Sequence, residues 1–96
     1  MKKKYPDVRL LVVIFFGPDF HIFGESIDEI MASYAETESE YAFRNLKKQA
    51  SQLLALESDD ELNHIMVELA ENQFKPASWG ETWRSFLQKV VERIPD

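Results

Sequence analysis

The chain has 96 residues, the size of one domain, and 45% of them are apolar, enough for a single core. It has no cysteine, which excludes disulfides, thiolate metal sites and cysteine nucleophiles together. A formal net charge of -6 argues against nucleic acid and anionic membrane as partners.

The opening Met1-Lys2-Lys3-Lys4 is followed by the apolar run Leu10 to Phe16. Seven residues are too few for a membrane span of about 20. Gly17-Pro18-Asp19 follows the run in place of a small-x-small cleavage site, so the expected location is the cytoplasm. Pro6 suits the first position of a helix, and Gly17-Pro18 suits its end. The β-branched residues between them could also form a buried strand. A lone strand has no partner in this chain, so the spacing predicts a helix over 6–16.

Four further helix starts follow, each an S/T-x-x-E ahead of an apolar stripe of helical period. Ser26 to Glu29 precedes Ile27, Ile30, Met31 and Tyr34. Thr37 to Glu40 precedes Phe43, Leu46, Ala50, Leu53 and Leu54. Ser58 to Glu61 precedes Leu62, Ile65, Met66 and Leu69. Ser78 to Glu81 precedes Trp83, Phe86, Leu87, Val90, Val91 and Ile94. The expected fold is all-α: a compact bundle of about five helices, one domain over 1–96. Short connections predict that consecutive helices are near-antiparallel neighbours.

The search for chemistry yields no assembled site. Glu61 and His64 have the Glu-x-x-His spacing of di-iron bundles, but no second such pair occurs. Ser26, Ser58 and Ser78 are explained by capping, and no nucleophile-elbow turn surrounds them. No phosphate-cradling glycine loop is present. No catalytic residue, metal or cofactor is therefore expected. Trp79 and Trp83 read as core or half-buried packing, with an interface anchor as the rival reading.

Charge layout is more informative. No Lys or Arg falls between Leu10 and Phe43, nor between Gln49 and Phe74. The first stretch contains Asp19, Glu25, Asp28 and Glu29, clustered around one loop and helix start. The second contains Glu57, Asp59, Asp60 and Glu61. These two clusters are the candidate contact residues for a basic partner. The rival reading makes them solvated faces and N-terminal carboxylates.

Several segments in order resemble the contact-dependent growth inhibition immunity proteins. They are Tyr5-Pro6, Phe16-Gly17-Pro18-Asp19-Phe20, Gly24-Glu25-Ser26, Leu46 to Leu56, Ser58 to Leu62, and Trp83 to Ile94. The resemblance runs from Tyr5 onward. It implies a bacterial cytoplasmic protein that binds and neutralises the C-terminal domain of a surface-displayed toxin. Such toxin domains are often nucleases, whose substrate demands a positive surface. The rival functions are a helical adaptor or regulatory subunit for another basic protein, and an enzyme.

Overall fold

In the computed structural model, which describes residues 4–94, the chain forms five α-helices with short non-α turns between them. Helix α1 spans Pro6–Leu10 and continues directly into a π turn, Leu11–Phe15. The expected single helix thus forms, but its second half is wider than α, with the Phe16 amide donating to the Leu11 carbonyl at 2.9 Å. Bulky Leu11, Val12 and Phe15 are all buried by this turn. Gly17 closes it: a Cβ there would lie 2.0 Å from the Val13 carbonyl oxygen. Tyr5 offers no side-chain cap to α1. Gln49, from a distant helix, fills that role by accepting from the amides of Asp7 (2.9 Å) and Val8 (3.2 Å).

Helix α2 (Ile27–Thr37) starts at Ser26, whose hydroxyl accepts from the Glu29 amide at 3.1 Å. Helix α4 (Asp59–Ala70) starts at Ser58 in the same way. Two other expected starts are displaced. Thr37 is the last residue of α2, and Ser39 caps α3 (Glu40–Leu54) through the Ala42 amide. Ser78 lies inside a 3-10 turn, Pro76–Trp79, and Gly80 follows in the left-handed region. Helix α5 (Trp83–Glu92) begins instead at Thr82, in a reciprocal capping box with Ser85. In both cases another hydroxyl residue within four positions takes the cap.

The apolar stripes read from the sequence form the core. Ile27, Ile30, Met31 and Tyr34 of α2 are buried, as are Leu62, Ile65, Met66 and Leu69 of α4 and Trp83, Phe86, Leu87 and Val90 of α5. In α3, Leu46, Ala50 and Leu53 are buried while Phe43 and Leu54 are partly so. Burying each such side chain contributes about 1.5–3 kcal/mol. Tyr34 carries the one polar atom in this set that costs energy: its hydroxyl is buried without a hydrogen-bond partner among the described residues.

The helices do not stack in chain order. Helix α3 packs mainly on α5 and α1, and α5 also holds α4 and α2, whereas α2–α3 and α3–α4 touch little. The expectation of consecutive neighbours therefore holds for α4 and α5 but fails across α2 to α4. The Cα radius of gyration, 12.1 Å, matches the ~12.5 Å of a compact chain this long.

Because backbone atoms stand where its Cβ would go, Gly17→Ala is expected to destabilise the fold by about 1–3 kcal/mol. Denaturant unfolding checks this, and an unchanged midpoint would show that the π turn relaxes freely.

Candidate functional site

All eight candidate acids lie at the surface, but their surroundings differ. In the first cluster, Asp19 precedes a 3-10 turn, Phe20–Ile22, and Glu25 precedes α2; both are exposed. Glu29 bends back to accept from the Glu25 amide at 2.8 Å. Asp28 is bound by Arg93 at the end of α5. In the second cluster, Glu57 is exposed in the α3–α4 connection, and Arg84 of α5 binds Asp59 at 2.6 Å. No cation of the described residues pairs with Asp60 or Glu61. The stretches without Lys or Arg are thus partly neutralised in space, because α5 folds its arginines back onto one acid of each cluster.

Helix α4 carries several acids that pair with no cation among the described residues. Its outward positions carry Asp60, Glu61, Asn63, His64, Val67 and Glu68, with no Lys or Arg. Asp60, Asn63 and Val67 fall at i, i+3 and i+7 and share one stripe. Glu61, His64 and Glu68 form the next stripe round the helix. His64 is a surface residue here, and Asp60 and Glu61 sit in the first turn, where carboxylates are favoured by the helix dipole.

Beside that stripe lies a groove of about 410 Å³. Asn63 and Val67 of α4 form one wall; Phe74, Pro76, Ala77 and Trp83 form the floor and opposite wall. Val67 is 54% exposed, whereas Trp83, Phe74 and Pro76 are buried from behind. Phe74 packs on Trp83 and Phe86, with ring centroids 5.6 and 4.9 Å apart, so the floor is part of the core. Trp79 packs on Phe16, Phe20 and Phe74 on the core side of the 3-10 turn. The packing reading of both tryptophans therefore holds, and Trp83 in addition lines the groove.

The groove exists because α4 ends abruptly. Glu71 and Asn72 both take positive φ, 50° and 63°, which costs a non-glycine residue about 1 kcal/mol or more each. Arg9 holds Glu71 at 2.5 Å, and the Gln73 amide donates to the Ala70 carbonyl at 2.8 Å. This turn sends the chain back under α4 and drops Phe74 into the core. A sequence signal for the groove was present in Val67, an apolar residue off the stripe of Leu62, Ile65, Met66 and Leu69. The positive-φ turn had only the weak signal of Asn72, a residue that tolerates the left-handed region, since no glycine marks it.

Glu81 on the groove rim has a role other than the expected helix cap. Lys89 donates to it at 2.5 Å and Ser85 at 2.7 Å, and these bonds hold its carboxyl below the usual carboxylate range. Among the described residues no three His, Asp or Glu side chains gather in a way that could hold a metal ion. No helix is long and apolar enough to cross a membrane.

These features define a helical protein with an apolar groove beside a carboxylate-bearing helix face. The CdiI immunity protein family model matches residues 4–94, and the chain belongs to that family. It is therefore an immunity protein of a contact-dependent growth inhibition system, and a cognate toxin is its partner class. No curated protein and no solved structure matches the chain.

The lowered Glu81 carboxyl stabilises the fold above the unfolded-state value of about 4.3, and that stability is lost as pH falls through the folded value. Glu81→Gln should therefore flatten the loss of stability below about pH 4.5. Thermal melts from pH 6 to 3 check this; an acid limb as steep as that of the unaltered chain would remove Glu81 from the account.

Proposed function

We propose that the chain neutralises the C-terminal toxin domain of its own growth inhibition system by stoichiometric binding in the cytoplasm. The toxin domain is basic, and a nuclease is the activity that fits best. The observation that carries this reading is the family membership over residues 4–94, joined to a helix face bearing unpaired carboxylates. A nuclease must present cations to hold its substrate's phosphates. An acidic inhibitor can meet those cations, and long-range attraction then raises the association rate.

The two acidic clusters are the proposed contact residues, and they contribute unequally. Asp28 and Asp59 are already matched by Arg93 and Arg84 and offer less net field. Asp19, Glu25, Glu29, Glu57, Asp60 and Glu61 keep their charge for the partner. Nothing in this mechanism requires catalysis by the chain itself: neutralisation follows from occupancy.

Co-expression with the neighbouring toxin domain should restore growth, and the two should co-purify. In stopped-flow association at low salt, Asp60→Lys with Glu61→Lys should slow binding about tenfold. Asp19→Lys with Glu25→Lys tests the other cluster in the same way. The deficit should shrink toward zero as ionic strength approaches 1 M, where the Debye length is about 3 Å. Failure of protection overturns the function. Protection with rates unaffected by both double reversals overturns the electrostatic role.

A further inference from the structure

Three other large apolar residues are exposed, Ile14 (48%), Ile22 (70%) and Tyr41 (76%), and none of them lines the groove. Val67 differs, because it stands on the lip of a preformed apolar groove. The floor, made of Phe74, Pro76 and Trp83, is fixed by the core behind it, so little side-chain ordering is needed to receive a ligand. The lining includes two charged residues, Lys75 and Glu81, and Glu81 is already engaged by Lys89. The amides of Asn63 and Asn72 lie at the edge. Past Asn63 and Thr82 the groove adjoins a smaller one lined by Asp59 and Arg84.

We infer that this groove between α4 and α5 seats a large apolar side chain of the toxin domain, flanked by Lys or Arg side chains that pair with Asp60 and Glu61. The inference rests on the proposed function for the identity of the partner. Charge complementarity selects the occupant. Asp60 lies on the same helical stripe as Asn63 and Val67, so a cation one turn along a partner segment meets a carboxylate beside the groove. A second copy of this chain is disfavoured, because a chain of net charge -6 would bring carboxylate faces together. Large apolar anchors in preformed pockets, ringed by polar contacts, dominate the energetics of many interfaces. Here the groove supplies hold and the carboxylates supply approach. The two are separable in kinetics: the groove governs dissociation and the charges govern association.

The test uses the full chain and the cognate toxin domain, with dissociation followed by surface-based kinetics. Val67→Glu places a charge on the lip. Ala77→Trp fills the groove without changing charge. Tyr41→Glu is the control, an exposed apolar residue outside it. Thermal melts accompany each variant, and both groove positions are exposed, so folding is expected to persist. Each groove variant should dissociate at least tenfold faster, while Tyr41→Glu stays within twofold of the unaltered chain. Groove variants that bind as tightly as the unaltered chain overturn this inference and leave the proposed function standing. An unaltered chain that does not bind the toxin domain overturns both. A dimer in sedimentation that Val67→Glu dissociates overturns it in favour of self-assembly.

Discussion

Arg84 joins three helices through one guanidinium group. It rides on α5, donates to the Leu54 carbonyl at 3.0 Å and the Leu56 carbonyl at 2.6 Å, and binds Asp59 at 2.6 Å. An α-helix leaves its last carbonyls without internal partners, and Leu54 is the last residue of α3. The planar fork of arginine can serve several acceptors at once, which a lysine ammonium does less well. Thus a single side chain finishes α3, meets the first residue of α4 and fixes both to α5. The walls of the groove belong to α4 and to the segment entering α5, so this contact also sets their spacing. Helix α5 is the right element for the task, because its buried face already packs on α2, α3 and α4.

Much of this architecture was legible from local pattern. The stripes of α2, α4 and α5 predicted their buried residues because a helix face repeats every three or four positions. Ser26 and Ser58 were readable as caps for the same local reason. What was not legible depended on distance. Gln49 caps α1 across more than forty residues, and Arg84 and Arg93 reach back 25 and 65 residues to Asp59 and Asp28. The displaced caps at Ser39 and Thr82 show the limit of a motif read alone. In both places a second hydroxyl residue, two or four positions on, takes the cap. The π turn is also a packing outcome: it buries Leu11, Val12 and Phe15 together, and Gly17 is its visible trace in the sequence.

Charge behaves in the same way. Along the sequence the acids form two tracts without cations, but folding pairs acids of each tract with arginines from outside it: Arg93 and Arg44 in the first, Arg84 and Arg9 in the second. In the first cluster Asp28 is paired with Arg93, and Glu29 accepts from the Glu25 amide while keeping its charge. The second retains Asp60 and Glu61, and Glu68 lies on the same outward face of α4. An electrostatic face and a rigid apolar recess therefore adjoin on one helix. Under the proposed function, with a basic toxin domain as partner, that adjacency would join fast capture to slow release.

The most direct test of this account is a titration of the toxin domain's activity with the purified chain. If the chain acts by occupancy, activity falls linearly and reaches zero at about one equivalent, with nucleic-acid cleavage as the readout for a nuclease. Full toxin activity in the presence of a several-fold excess of the chain would contradict it.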